Sequence, residues 1–283
     1  MTQDAWEWDP TLYAGSARYY AQGRIAYSGE LIARLVEALS LDGRGRLLDV
    51  GCGPGSLLLL LAVHFERATG LDADGEMLAE GARRAARAGL SNVDWLQLRA
   101  EDLPTDVGPV RLATLAQSFH WMDRARVARR LHRVLAPSGA LVHVHATTHQ
   151  GIEGDRPLPH PRPPRQDIDE LVKRYLGRQR RAGRGTLPER PMIESNRGRL
   201  EAEVYGDAGF HDHRRIEVPG YVVERTTDDI VASVFSLSSS TPQLFADRLT
   251  SFENDVRALL RMANPNGLFS EEMRETAVDI WKP

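Results

Sequence analysis

A glycine-rich loop that directly follows an apolar run is the feature that most constrains the fold of this chain. RLLDV (46–50) is typical of a buried strand, and it continues into GCGPGS (51–56) and then into an apolar run that is typical of a helix. A glycine loop at such a junction lets the backbone approach a ligand closely, because glycine has no Cβ in the way. The sequence therefore predicts a nucleotide-like ligand at the end of the first strand.

The region from 46 to 146 alternates strand-like runs with helical patterns. Further strands are predicted over 68–72, 93–98, 110–116 and 140–146. Helices are predicted between them over 56–65, 75–90 and 125–139. The last helix has an apolar face and is expected to stop at Pro137–Gly139; that face comprises Val127, Leu131, Val134 and Leu135. Such alternation indicates βαβ units around a parallel sheet.

The segments that flank this core differ from it in amino-acid composition. Residues 147–164 are rich in Pro, Gly and His and predict a mobile connection, whereas 178–195 predicts a basic, irregular stretch. The C-terminal part predicts a helix near 196–208, a strand near 213–218, helices across 227–262 and a strand over 276–281. We divide the chain into N-terminal lid helices (1–40), an α/β core (41–146), a mobile connection and cap (147–195), and a part that completes the sheet with an inserted helical cap (196–283).

Composition and charge exclude several classes of protein. A formal net charge of −3 offers no general attraction to nucleic acid or to anionic lipid. The longest apolar run, 57–63, is far below the roughly 18 residues that a membrane span needs, and the acidic start lacks the features of a signal peptide. One cysteine, Cys52, excludes an internal disulfide and a multi-cysteine metal centre. We expect a cytoplasmic protein without a membrane or nucleic-acid partner.

The spacing of the glycines and two acidic residues narrow the choice of ligand. A dinucleotide site needs G-x-G-x-x-G, but here Ser56 stands where the third glycine should fall. Asp72, at the end of the second strand, is placed to accept both hydroxyls of a ribose. Asp49, at the end of the first strand, would repel a phosphate, but it favours the ammonium of an amino-acid tail.

These residues together resemble the class I S-adenosylmethionine-dependent methyltransferases, over roughly residues 13 to 146. The resemblance implies that the methionine part of the cofactor is held by Asp49, Gly51, Cys52 and Gly53. It implies that Asp72 holds the ribose, that Ala73 and Met77 flank the adenine, and that AEDLP contributes Ala100 and Glu101 at the adenine edge. Arg99 departs from the family, in which many members carry Asp at that position.

Two further motifs resemble a small-molecule subgroup of that family. AQSFHWMD, after the fourth strand, implies that Gln117, His120 and Trp121 lie at the reaction centre, with Gln117 beside the cofactor. YYAQGRIAY resembles the helix that covers the cofactor: Tyr20, Arg24 and Tyr27 match, while Ile25 and Ser28 replace two prolines. We expect Tyr20 and Arg24 to bind the cofactor, and Tyr19, Trp121 and His145 to line the acceptor pocket. Candidates for an apolar lid and pocket are the aromatic residues Trp6, Trp8, Tyr13, Tyr19, Tyr20, Phe119 and Trp121. Alternatively, Trp6 and Trp8 only fasten the N-terminal segment to the body.

The resemblance also implies a fold and a reaction. The fold is α/β, with a doubly wound, mostly parallel, seven-stranded Rossmann-like sheet whose antiparallel strand lies in a hairpin formed by 213–218 and 276–281. The reaction is methyl transfer from S-adenosylmethionine to a small organic acceptor, such as a specialised metabolite, through O, N or an electron-rich carbon. His120 is the candidate general base, because an ordinary histidine titrates near neutral pH, or else it only orients the acceptor.

Several alternatives stay open from the sequence. A nicotinamide-dependent oxidoreductase is opposed by the loop spacing, and a nucleic-acid methyltransferase by the AQSFHW motif and the net acidity. The third alternative is a protein that binds the cofactor without transferring a methyl group and serves as a scaffold or as a cyclase. Metal binding is not expected, because no carboxylate–histidine ligand spacing accompanies the histidines His143, His145, His149, His211 and His213.

Overall fold

The computed structural model describes residues 9–182, 185–187 and 194–283, with side chains described for 9–180 and 201–283. Trp6 and Trp8, which the sequence suggests as lid aromatics, lie outside the described residues. The strands are β1 Arg46–Val50, β2 Arg67–Asp72, β3 Val93–Gln97, β4 Val110–Ala116, β5 Leu135–His145, β6 Arg180–Ala182, β7 Gly185–Leu187, β8 Asp212–Val218, β9 Val222–Thr226, β10 Leu268–Glu272 and β11 Thr276–Lys282.

The helices form where apolar residues recur with helical spacing, and capping residues help to define where they begin. They are α1 Ala17–Gly23, α2 Gly29–Leu39, α3 Leu58–Leu61, α4 Gly75–Arg87, α5 Arg124–Val134, α6 Arg165–Leu176, α7 Glu194–Asp207, α8 Thr227–Phe235 and α9 Leu249–Ala263. The carboxylate of Asp74 caps α4 by accepting hydrogen bonds from the first-turn amides of Glu76 and Met77. None of the helices in this described part of the chain is long and apolar enough to cross a membrane.

Seven strands form the main sheet, in the order β3-β2-β1-β4-β5-β11-β8. The first five are mutually parallel, and β11 is antiparallel to both β5 and β8. This confirms the predicted seven-stranded, mostly parallel sheet, and the predicted antiparallel pair lies within one residue of its expected bounds. Strand order reverses between β1 and β4, so the carboxyl ends of these strands diverge and open a crevice where ligands bind in doubly wound folds.

Apolar side chains cover both faces of the sheet. On one face, α2 and α3 bury Leu31, Leu35 and Leu58 against β1 and its neighbours. On the other face, α5 buries Leu131, and Tyr205 of α7 is also buried in that cluster. Of the two N-terminal helices, α2 is therefore part of the core, while α1 lies against α8 and α4.

A separate helical cluster forms beside the carboxyl edge of the sheet. Helices α6, α8 and α9 enclose the aromatic rings of Phe235, Phe245 and Phe252, the last two stacked at 4.0 Å. The two-stranded antiparallel sheet of β9 and β10 adjoins this cluster, and Glu271 of β10 forms ion pairs with Arg165 and Arg225. The sequence did not predict α6, β9 or β10, whereas the helices predicted across 227–262 are confirmed.

Two local predictions are wrong, and one needs qualification. The predicted irregular stretch 178–195 contains β6 and β7, which pair antiparallel. Helix α5 ends at Val134, before the expected stop, because a residue that precedes proline disfavours the helical conformation and Leu135 pairs with β4 instead. Every residue of 147–164 is described, and none belongs to a helix or strand; even so, Arg156 and Arg162 fasten this segment to Glu272.

Candidate functional site

The glycine loop joins the ends of two neighbouring parallel strands. The amides of Gly51 and Cys52 both donate to the carbonyl of Leu71, at 2.8 and 3.0 Å. Gly51 has a φ of +67°, and a Cβ there would lie 2.5 Å from the Cβ of Ser118. A Cβ on Gly53, at φ +53°, would meet nothing nearer than the ring of Tyr20 at 4.0 Å. The loop is therefore tightly packed at Gly51, whereas Gly53 leaves open space in which a ligand could approach the backbone.

Asp72 ends β2 with its carboxylate fixed by the backbone. Its Oδ2 accepts from the amide of Gly53 at 2.8 Å, and its Oδ1 accepts from the amide of Asp74 at 2.9 Å. Burial raises the pKa of Asp72 to about 6, although these two amides favour the charged form. The glycine loop and the predicted ribose-binding acid are thus one hydrogen-bonded unit.

Asp49 lies beneath the loop rather than at its surface. Its side chain is buried, and its Oδ1 accepts from the hydroxyl of Thr114 on β4 at 2.6 Å. Burial raises the pKa of Asp49 to about 7, because desolvation outweighs that hydrogen bond. Burial also raises the pKa of the Cys52 thiol well above its usual range, so this cysteine is a packing residue of the loop.

A cleft of about 700 Å³, including space open to solvent, lies over this loop at the carboxyl edge of the sheet. The predicted site residues that line it are Tyr20, Gly51, Gly53, Asp72, Ala73, Met77, Ala100, Glu101, Gln117 and Trp121. Of the further lining residues, the sequence suggests Tyr13 as a lid or pocket aromatic. It did not assign Leu71, Asp74, Leu98, Arg99, Ser118 and Met122 to the site. Within the part of the chain that the structure describes, six predicted site residues do not line this cleft: Tyr19, Arg24, Asp49, Cys52, His120 and His145.

Aromatic rings wall one side of the cleft. The ring of Tyr13 contacts Tyr20 edge-on at 6.2 Å and Trp121 edge-on at 5.8 Å. Burial raises the pKa of Tyr13, so its hydroxyl is protonated at neutral pH. The segment before α1 therefore joins the cofactor side of the cleft to the motif after β4. A tyrosine just ahead of the YYAQGR motif is the sequence signal for this residue.

Arg24 follows α1 and lies on the far side of Tyr20. Its guanidinium stacks over the Tyr20 ring at 4.5 Å, and its Nη2 donates to the carbonyl of Ser236 at 2.9 Å. Within the part of the chain that the structure describes, its buried Nε has no hydrogen-bond acceptor. Arg24 thus ties α1 to the end of α8 and keeps one buried donor unused.

The segment after β4 is held in an unusual backbone conformation. Gln117 has a φ of +60°, which is uncommon for any residue but glycine and often marks functional sites. The hydroxyl of the adjacent Ser118 donates to the carbonyl of Val50 at 2.6 Å, which ties this segment to β1. The helical turn Phe119–Trp121 follows, with the His120 ring 4.9 Å from Trp121.

Glu101 closes the opposite end of the cleft. It is buried, and its Oε1 accepts from the amide of Asp123 at 2.8 Å. Its Oε2 lies 3.5 Å from the Nε of Arg99. The arginine that departs from the family pattern therefore pairs with the acid at the adenine-edge motif.

Two predicted acceptor residues lie away from the cleft. The Tyr19 ring packs against Phe235 of the helical cluster at 4.9 Å, and its hydroxyl accepts from Arg18. His145 points to the polar face of β11, where its Nε2 lies 2.9 Å from a carboxylate oxygen of Asp279. Of the three predicted acceptor residues, Trp121 alone reaches the described cleft lining.

Comparison with known proteins agrees with this geometry. A sequence profile of the methyltransferase domain matches residues 47–139. The uncharacterized methyltransferase Rv3342 of Mycobacterium tuberculosis is 28% identical over 92% of this chain and 92% of its own length. Trans-aconitate 2-methyltransferase of Azoarcus is 33% identical over 47% of this chain and 49% of its own. The structure of Bacillus subtilis YcgJ superposes with a TM-score of 0.50 at 18% identity, covering 89% of this chain and 97% of that one.

The glycine loop, the sheet order and these matches define an S-adenosylmethionine-dependent methyltransferase. Residues 47–139 match the methyltransferase domain, whose cofactor is S-adenosylmethionine. The sheet has the α/β Rossmann-like fold of these enzymes. The predictions of the fold, of the enzyme class and of the cofactor are confirmed.

Proposed function

We propose that this enzyme transfers the methyl group of S-adenosylmethionine to a small organic acceptor of specialised metabolism, bound beside His120 and Trp121. The observation that carries the proposal is the contact of Gly53 with Asp72, which places an ionisable carboxylate and an open glycine turn on the same wall of the cleft. A carboxylate there accepts hydrogen bonds from a ribose and repels a phosphate.

The cleft offers a fitting group for each part of the cofactor. Asp72 is proposed to hold the ribose, and Gly51 and Gly53 the methionine part above the buried charge of Asp49. Ala73, Met77 and Ala100 are proposed to flank the adenine, with Glu101 at its edge. The open space over Gly53, which a Cβ would begin to fill, supports this assignment. Arg24, with its unused buried Nε, is the proposed partner of the cofactor carboxylate.

Positioning carries most of the proposed catalysis. When bound, S-adenosylmethionine supplies a methyl group that is already activated by its sulfonium. The chain then has to align the acceptor and exclude water, and alignment alone contributes on the order of 7–11 kcal/mol. The strained Gln117 and the ring contact of Tyr13 with Trp121 hold the acceptor side of the cleft in place.

His120 is the proposed general base for an acceptor that must lose a proton. Its ring lies in the turn 4.9 Å from the ring of Trp121, which lines the cleft. A general base raises the rate by roughly 10²–10⁴-fold, and an electron-rich carbon acceptor needs alignment before it needs a base. Acceptors with oxygen or nitrogen nucleophiles therefore depend on His120 more strongly than carbon acceptors do.

The small-molecule class of the acceptor is supported by the relatives and by the surface charge. Trans-aconitate, in the name of the Azoarcus relative, is a small molecule, and that match covers about half of each chain. The formal net charge of −3 opposes a nucleic-acid acceptor, which requires basic surface.

A labelled-methyl assay tests the proposal. The chain is incubated with S-adenosylmethionine carrying a ¹³C methyl group, together with a panel of small phenols, amines, carboxylic acids and enols, or with transfer RNA. We expect mass spectrometry to find the label in at least one small acceptor, and to find none when Asp72 is replaced by Ala. Label in RNA alone would contradict the small-molecule assignment. Cofactor binding without transfer to any acceptor would favour the non-catalytic alternative.

A further inference from the structure

A buried polar cluster lies between the sheet and α7, outside the cleft described above. His143 and His145 project from β5 on the same side of the sheet, because side chains two residues apart share a face. Glu201 of α7 covers them, and the side chains of His143 and Glu201 are both only 7% exposed. The spacing of the histidines is visible in the sequence, but the carboxylate comes from a helix more than fifty residues away.

The donor atoms of these three residues converge. One donor atom from each lies within 4.8 Å of the other two. The Oε2 of Glu201 is 3.6 Å from the Nδ1 of His143 and 3.9 Å from the Nδ1 of His145. Donors bound to one zinc-like ion at about 2.0–2.2 Å in tetrahedral geometry stand about 3.3–3.6 Å apart. The two separations from Glu201 are at or slightly above that range, so side-chain rotations could bring the three donor atoms into ligand positions.

The ring nitrogen of His145 that faces away from Glu201 contacts a carboxylate, as is common for histidines that bind a metal. Its Nε2 lies 2.9 Å from the Oδ2 of Asp279, which leaves Nδ1 directed toward Glu201. A carboxylate on the far nitrogen fixes the tautomer and the ring orientation of a histidine ligand. Asp279 is itself fixed by Arg215, at 2.8 and 2.9 Å, and by His213, at 2.8 Å.

Charge and protonation allow cation binding but limit the choice of ion. The ring of His143 is buried, and its Nδ1 faces the carboxylate of Glu201 at 3.6 Å. The hydroxyl of Tyr205 lies 3.0 Å from the same Nδ1 and competes with an ion for it. Arg124, whose charge also reaches His143, opposes a cation. A weakly held ion with oxygen ligands alone would not overcome this competition, whereas an ion that prefers imidazole would.

We propose that His143, His145 and Glu201 form a binding site for one divalent transition-metal ion of the zinc class. Two imidazoles and one carboxylate are a ligand set of zinc and of similar first-row ions. Three protein ligands leave a coordination position for water or for an oxygen of a small molecule. The site does not depend on methyl transfer, so its test is separate from that of the proposed function.

Metal titration of the untagged chain tests this site. Protein is stripped with EDTA, dialysed, and titrated with Co²⁺ followed by visible absorption and with Zn²⁺ followed by calorimetry. We expect one equivalent of each ion to bind and a Co²⁺ absorption band typical of four or five ligands. Glu201→Gln and His145→Ala should weaken the binding at least tenfold. His160→Gln, which removes an exposed histidine that pairs with Glu224, should leave the binding unchanged.

A further variant, Tyr205→Phe, separates metal ligation from a simple hydrogen-bond network. Tyr205→Phe keeps the ring that stacks on Phe119 and removes the hydroxyl that competes for His143. We expect its affinity for Zn²⁺ to equal or exceed that of the parent chain. Circular dichroism confirms that each variant is folded. Absence of a one-equivalent site in the parent, equal affinity in Glu201→Gln, or lost binding in Tyr205→Phe would overturn the proposal.

Discussion

The hydroxyl of Thr114 donates a 2.6 Å hydrogen bond to the buried carboxylate of Asp49, directly beneath the glycine loop. The two residues are paired across β1 and β4, at the point where the strand order reverses. The hydrogen bonds from Thr114 and from the backbone of Leu58 do not compensate for the burial of this carboxylate, and burial raises the pKa of Asp49 to about 7. The fold therefore carries a destabilising acid at the site where a cationic ligand is expected to lie.

Replacing that acid should stabilise the fold in a pH-dependent way. The folded-state pKa of Asp49, about 7, lies above its unfolded value, so the desolvation penalty is present above pH 7 and disappears as the carboxylate is protonated toward pH 4. We expect Asp49→Asn to raise Tm relative to the parent by more at pH 8 than at pH 5, in thermal unfolding followed by circular dichroism. Asp94→Asn, at an exposed acid paired with Arg67, is the control. An equal effect at both pH values would contradict the assignment.

Cofactor affinity should fall with falling pH. The pKa values of Asp49 and Asp72, about 7 and about 6, mean that both carboxylates are protonated by pH 5 in the free enzyme. Protonation removes the negative charge that favours the cofactor ammonium, and it turns one oxygen of Asp72 from an acceptor for the ribose hydroxyls into a donor. We expect the Kd for S-adenosylmethionine to rise at least tenfold between pH 8 and pH 5, which is about 1.4 kcal/mol. Calorimetry at three pH values measures this. A constant Kd would show that neither carboxylate acts on the cofactor in its charged form.

Substitution by alanine should lower Tm to different extents at Gly51 and Gly53. A Cβ on Gly51 meets Ser118 at 2.5 Å and Met122 at 2.9 Å, so Gly51→Ala forces the loop to move. A Cβ on Gly53 has open space and incurs only the positive φ, a cost of about 1 kcal/mol. We expect Gly51→Ala to lower Tm clearly more than Gly53→Ala, and both to weaken cofactor binding. Equal losses of Tm would contradict the packing argument.

The sequence was most informative where local chemistry decides the structure. The strand, glycine loop and Asp72 were all predicted, because a buried β-strand, a turn with positive φ and a strand-end acid leave direct traces in residue type. Ser118 and Met122 were missed as site residues, because they reach the cleft through tertiary packing. Asp49 was predicted as a site residue, but its position beneath the loop depends on Thr114 of a neighbouring strand.

The acceptor side was less predictable for the same reason. Tyr19 and Tyr20 are adjacent on α1, yet Tyr19 packs into the helical cluster and Tyr20 faces the cleft. The turn of the helix separates them, and no short motif records which face is covered by α8. The carboxylate that joins His143 and His145 was also invisible to spacing, because Glu201 belongs to α7.

His120→Ala should affect turnover and leave cofactor binding intact. His120 lies outside the described cleft lining, so its loss removes no proposed contact to the cofactor. For an oxygen or nitrogen acceptor, we expect kcat to fall by about 10²–10⁴-fold. We also expect the pH profile of kcat to lose the step that comes from the titration of His120. Steady-state kinetics across pH 6–9 measure both, and His160→Ala is the matched control. An unchanged kcat would assign His120 to orientation or to local structure.

Titration calorimetry tests the central claim most directly. S-adenosylmethionine, its demethylated product and a nicotinamide dinucleotide are each titrated into the parent chain, into Asp72→Ala and into the control Asp94→Ala. The account predicts micromolar binding of the first two ligands, at least tenfold weaker in Asp72→Ala and unchanged in Asp94→Ala, with no binding of the dinucleotide. Folded protein that binds the dinucleotide, or that binds S-adenosylmethionine equally well without Asp72, would contradict it.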